Sequence, residues 1–195
     1  MLHKKLCVVA VLLGLTAGAF AYEIRVSRLN TWELAFDSKP PRVIQIVENG
    51  QLDNYTYIIY TVTNNGAETV DFYPTFQIEA DEAKTCIAQV FPQVTSAIND
   101  RFRLDALDNA QIAGPLKPGE TKNGIAIIKN VDASARSLAV YATGLSGDFK
   151  SDTNAEGKLV IFYRTFKMVY WRPGDDFHVA IDPVVLKSSE WVWRE

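Results

Sequence analysis

Histidine and cysteine are nearly missing from this chain, with two of each in 195 residues. His3 and Cys7 fall at the very start, which leaves Cys86 and His178 for everything after it. One cysteine cannot form an internal disulfide, so the core has to hold the fold together. A structural zinc site usually takes four Cys or His ligands, and one of each does not supply it. Nucleophilic catalysis needs a base beside the nucleophile. A Ser–His–Asp site would have to be built around His178, and Cys86 with His178 is the one sulfur dyad on offer. "GLSGD", 144–148, looks like a nucleophile elbow, but Asp148 takes the place of the last glycine. An elbow also needs a strand-to-helix setting, so these residues read as a turn. Cys86 itself lies in Thr85-Cys86-Ile87-Ala88, which reads as a strand with a small buried side chain.

Basic clusters and long apolar runs are scarce too. The net charge is −3, and no run of Lys or Arg exceeds two. A mildly acidic chain of this kind carries no electrostatic footprint for nucleic acids and is a poor candidate for anionic membrane surfaces. The one prominent apolar run, 6–15, is shorter than the roughly 20 residues that span a bilayer. It follows His3, Lys4 and Lys5 and precedes Ala19-Phe20-Ala21, the pattern of a secretory signal peptide with an A-x-A cleavage site. Cys7 lies early in the run, unlike the cysteine of a lipoprotein signal. Residues 1–21 are therefore expected to be a leader and 22–195 a single exported domain, periplasmic or extracellular, with no membrane insertion after cleavage.

What is abundant is period-two alternation. Tyr22, Ile24 and Val26 alternate with polar partners, as do Trp32, Leu34 and Phe36, the signature of strands with one buried face. Pro40-Pro41 breaks the chain, and 43–47 resumes it. Residues 55–63 are aromatic, β-branched or Thr, types that fit a pleated sheet. Asn64-Asn65-Gly66 then suits a hairpin turn, because Asn and Gly tolerate positive φ. Val70, Phe72, Phe76 and Ile78 follow as the return strand. Pro74 removes a backbone donor there, so that strand is expected at a sheet edge or with a bulge. Strands are also expected at 85–90, 104–113, 124–130, 138–141, 158–171 and 184–193, with a bend at Arg164-Thr165 and turns at 81–84, Pro118-Gly119 and 172–176. Residues 144–157 read as a polar loop. Only 92–102 departs from the pattern. Val94, Ile98 and Phe102 fall four apart behind Pro92, which predicts one short helix packed over an end of the fold. About nine or ten short strands, without βαβ alternation, predict an all-β antiparallel sandwich.

At "YTVTNNGAETVDFYPTFQI" and "GPLKPGETKNGIAII" the chain resembles the immunoglobulin-like domains of exported bacterial proteins. Across the whole of 22–195, including "YWRPGDDF" and "EWVWRE", it is similar to exported bacterial proteins with no assigned activity. The resemblance implies an immunoglobulin-like sandwich used for adhesion, assembly or ligand holding, and it transfers no catalytic residue. The helix at 92–102 departs from the minimal domain, and the paired cysteines and core tryptophan of antibody domains are missing as a set.

Three constellations remain. "DTNAEG", 152–157, resembles the start of a calcium loop, with Asp148 as a further oxygen ligand, but Tyr163 stands where the bidentate Glu belongs. Glu79, Asp81, Glu82, Asp105 and Asp108 are the acids available for paired carboxylate chemistry. Tyr170, Trp171, Trp191 and Trp193 could form a stacking platform for sugars or a protein contact, or else fill the core and its rim. Asn54-Tyr55-Thr56 fits a glycosylation acceptor. Together these predict a non-enzymatic binding or structural module acting through a sheet edge or loop end on another cell-envelope protein. No cofactor, metal or nucleic acid is expected. The alternative is an envelope carbohydrate- or calcium-linked binding domain.

Overall fold

The computed structural model describes residues 31–48, 50–81, 84–132, 134–173 and 184–195. The expected leader, the expected strand at 22–27 and His178 lie outside the described residues, as does most of the turn at 172–176. The fold is mostly β, with antiparallel pairing in every strand pair but one.

The first sheet is organised around β3 (Gln51–Thr63). β1 (Ala35–Ser38) and β2 (Arg42–Glu48) follow one another along the same side of it, with Ser38 opposite Tyr60 and Arg42 opposite Tyr57. Lys39-Pro40-Pro41 separates them, because neither proline can donate to the ladder. On the other side β9 (Thr121–Lys129) pairs with β3 from Thr63–Thr121 to Tyr55–Lys129. The short β7 (Leu107–Asp108) runs parallel beside β9.

The second sheet is organised around β12 (Leu159–Trp171). β10 (Ser137–Thr143) and β11 (Phe149–Thr153) occupy one side of β12 in turn, and β13 (Val185–Arg194) occupies the other. Beyond β10 come β5 (Thr75–Ala80) and then β6 (Lys84–Ile87). β4 (Val70–Phe72) and β8 (Gly114–Leu116) form a separate two-stranded piece.

The two large sheets share one core. Ile58, Tyr60, Val62, Ala126 and Ile128 of the first meet Phe76, Ile78, Val140, Met168 and Tyr170 of the second. The isoleucine, valine, phenylalanine and methionine side chains among them each contribute about 1.5–3 kcal/mol when fully buried. Cys86 belongs to the same core, as its strand setting predicts, with its thiol 3.4 Å from the Asn130 carbonyl oxygen.

β3 shows no burial alternation over 55–58 because both its faces are covered there, and it alternates from Ile58 to Thr63. Its other face, with Tyr55 and Tyr57, lies under α1 (Pro92–Phe102). Pro92 does sit in the first turn of that helix, and Val94 and Ile98 are fully buried against Ile44, Ile125 and Ile127. The helix therefore covers a sheet face, not an end of the fold.

Several expectations are corrected. The residues at 64–66 do not turn a hairpin, since β3 pairs with neither β4 nor β5. Asn64 is instead a buried corner where the chain leaves one sheet for the other. Its backbone exchanges hydrogen bonds with Glu120 O and Gly119 N. Its side-chain amide donates to the Glu68 and Leu116 carbonyls, and its Oδ1 accepts from Gly66 N. Pro74 is not on an edge. It lies between β4 and β5, and β5 is flanked by β10 and β6. The missing donor ends one strand so that the next can join another sheet. Residues 104–113 hold β7 and a single helical turn, α2 (Asn109–Ile112), where a strand is expected. Asp108 caps that turn and Gln111 returns a bond to the Asp108 N–H, a reciprocal box. The polar loop at 144–157 contains β11. The irregularity of the long strand falls not at Arg164-Thr165 but at Val169/Tyr170, where β13 skips Lys187.

Candidate binding surface

β13 is ten residues long, contains no proline, and pairs only with β12 among the described strands. Its other side presents backbone donors and acceptors without a strand partner, a template for an added chain.

The side chains of β13 divide by register. Trp193, Trp191 and Ser189 stand beside Arg164, Phe166 and Met168 on the inner face of the sheet. Arg194, Val192 and Glu190 stand beside Tyr163, Thr165 and Lys167 on the outer face. Trp191 is half-buried, 5.1 Å from the Phe166 ring, and the Arg164 guanidinium lies 4.3 Å above it. Trp193 stays 42% exposed under the Lys150 ammonium at 5.2 Å.

Next to this edge the β11–β12 hairpin carries large exposed side chains. Phe149 and Tyr163 are direct cross-strand partners, and Ile161 and Leu159 continue the same face. All four are at least 40% exposed. An apolar patch of this kind on a sheet face is unusual for a surface without a partner. Arg164 ties the hairpin base to the chain entering β1, pairing with Glu33 at 2.7 Å and Asp148 at 3.2 Å.

The outer face holds a polar bridge across four strands. Arg194 of β13 reaches over to Glu79 of β5 at 2.9 Å, and its guanidinium lies 3.6 Å above the Tyr141 ring of β10. Tyr141 donates to Glu79 at 2.9 Å. Burial alone would raise the Glu79 carboxyl, but the hydrogen bonds from Arg194 and Tyr141 outweigh it and hold the group below its ordinary range. Burial and the Glu79 carboxylate together push the Tyr141 phenol up. The bridge pins β13 to the sheet through side chains, while its outer backbone has no strand partner among the described residues.

The residues singled out in the sequence do not converge. Ser146 lies between β10 and β11, where its hydroxyl accepts from Asp148 N, and no helix follows. Asn154 is the cap of the β11–β12 turn, its Oδ1 accepting from Glu156 N and Lys158 N. Asp148 is at the far end of β11, on Arg164. Asp81 accepts from Arg136 N and Ser137 N, and Asp108 caps α2. Glu79 is engaged by Arg194; Asp105 sits in the α1–β7 connection, and Glu82 lies outside the described residues. Among the described residues no three His, Cys, Asp or Glu side chains gather as a metal site. Tyr170 is buried in the core. Trp171, 42% exposed, pairs with Val185 on the outer face, whereas Trp193 is on the inner face. The two exposed indoles thus form no common platform. Asn54 is exposed on β3, its side chain held by Gln45 at 3.0 Å.

Sequence reasoning missed the Glu79–Arg194 pair, which lies 115 residues apart along the chain. Only the strand order brings them together. Compared with family models, with curated proteins and with solved structures, the chain matches none.

Proposed function

We propose that this chain is an exported, non-enzymatic binding module with an immunoglobulin-like β-sandwich. It takes an extended segment of another cell-envelope protein as a strand added to β13. The observation that carries this reading is the ten-residue edge of β13, which has no strand partner among the described residues. Strand addition draws its affinity from main-chain hydrogen bonds and its specificity from alternate side-chain pockets. Here one set of partner side chains would lie beside Trp191 and Trp193, and the other beside Val192 and Glu190. The basic-then-apolar leader at the start of the chain supports export. The engagement of Glu79, Asp81, Asp108 and Asp148 in structural bonds supports a role without catalysis.

Photo-crosslinking in exporting cells tests the proposal. A photoreactive residue at Ser189 is compared with one at Ser96 on the exposed side of α1. The expected result is an adduct from position 189 that is missing from position 96. An adduct from position 96 alone would overturn the assignment of the edge.

A further inference from the structure

A second site lies on the opposite sheet, away from β13. Where β1 gives way to β2, the chain and the end of α1 enclose a groove of about 290 Å³. Its floor is Tyr57, Ile59, Phe102 and Leu104, with Pro40 at one wall. Three cations surround it. Lys39 and Arg42 line it directly. Arg101 sits beside it, its guanidinium 5.6 Å from the Phe102 ring.

These cations stand out by meeting in one place. The chain carries a net charge of −3, yet three basic side chains, from the β1–β2 connection, β2 and α1, meet here. Among the described residues none of the three is in an ion pair, so their charges are not spent on a carboxylate of the chain. Arg101 has a structural reason to be in the last turn of α1, where the helix dipole favours a cation. Lys39 and Arg42 come from the other side of the groove and have no such reason. The charges also reach the floor. Burial pushes the Tyr57 phenol up, and Arg42 and Arg101 pull against it. Arg42 is the cross-strand partner of Tyr57.

We propose that this groove binds a small amphipathic carboxylate, an alkyl or aryl acid whose apolar body lies on Tyr57, Ile59 and Phe102. Its carboxylate is held by Arg42 and Arg101, with Lys39 at the rim. The chemistry follows from the walls. An apolar floor selects a hydrocarbon body, and unpaired guanidinium groups select a planar anion with paired acceptors. The volume is near the lower end for small-molecule pockets, roughly 300 Å³, which fits a short ligand better than a peptide.

Octanoate, octanamide and inorganic phosphate are the probes. Each is titrated into the exported protein while backbone amide resonances are followed by NMR. Saturable shifts from octanoate at Lys39, Arg42, 57–59 and 101–104 are expected, with octanamide and phosphate each roughly tenfold weaker or worse. Raising the salt should weaken octanoate, since the site is open to solvent. Arg42→Gln and Arg101→Gln should each lower octanoate affinity roughly tenfold, the scale of one charge-assisted hydrogen bond. Both arginines are exposed, so folding is not at stake, and Lys39→Gln gives a third variant with a smaller loss. Equal binding of octanamide would overturn the proposal, as would phosphate binding as tightly as octanoate. Octanoate affinity unchanged in the Arg42→Gln, Arg101→Gln double variant would overturn it as well.

Discussion

Asn64 shows how much one residue can do at a corner. It is 1% exposed and satisfies backbone groups of three separate segments through its side chain and main chain. Asn64→Ala removes the side-chain partners and leaves the Glu68 and Leu116 carbonyls unmatched there. Each such loss costs about 1–3 kcal/mol, and the measured drop in unfolding free energy by urea denaturation should be about 2–4 kcal/mol. A drop under about 0.5 kcal/mol would contradict the corner role. Glu79 carries a pH dependence with a definite sign. Its folded carboxyl is held below its ordinary range, against the raising effect of burial, by Arg194 and Tyr141. Its contribution is therefore full above the unfolded pKa and is lost as pH falls through the folded one. Arg194→Ala should cost about 1 kcal/mol at neutral pH, a partly exposed pair being modest. That difference should shrink as the acid range is entered, because the protonated carboxyl no longer depends on the guanidinium. Melting curves from pH 7 down to pH 3 read it; a difference that grows toward acid would be inconsistent. Gly124 is fixed by a neighbour. A Cβ there would overlap the Tyr60 ring, which is itself fully buried against Phe36 and Phe76.

At the scale of elements, periodicity located strands well and partners poorly. The runs at 43–47, 55–63 and 138–141 fall within strands, the run at 124–130 does so up to Lys129, and the four-residue spacing behind Pro92 marks α1. Val94→Ala or Ile98→Ala should cost about 2–5 kcal/mol, because both side chains are fully buried between the helix and β3. Thermal unfolding with an unchanged midpoint would show that the helix does not pack there. Pairing was not legible, for a physical reason. Asn-Asn-Gly followed by a β-branched run satisfies the local geometry of a hairpin. The deciding interactions at Asn64 come from 116–120, more than fifty residues away. Pro74 by itself predicts an edge or a bulge, since both tolerate a missing donor. The chain uses the missing donor to stop β4 and start β5 in another sheet. α2 was more accessible: Asp108 and Gln111 stand three apart, the spacing of a reciprocal cap, and the apolar residues around them masked it.

For the whole molecule, the same limits explain what could be seen of the surface. The tryptophans were visible in the sequence, but their faces depend on the register between β12 and β13, including the skip at Lys187. The open edge depends on strand order, to which sequence spacing gives no access. The groove at Lys39, Arg42 and Arg101 joins residues about sixty positions apart through α1 docking on β3. Lost charge at that groove should leave β13 unaffected, since the two sites occupy different sheets. The reading of β13 as the contact strand has its most direct test in amide hydrogen exchange, residue by residue. The free protein is compared with the complex captured by crosslinking from Ser189. Outward-facing amides of 188–194 should exchange fast in the free protein and slow markedly in the complex, while those of 92–102 stay unchanged. Slowing confined to 92–102, with the β13 amides unaltered, would contradict strand addition at this edge.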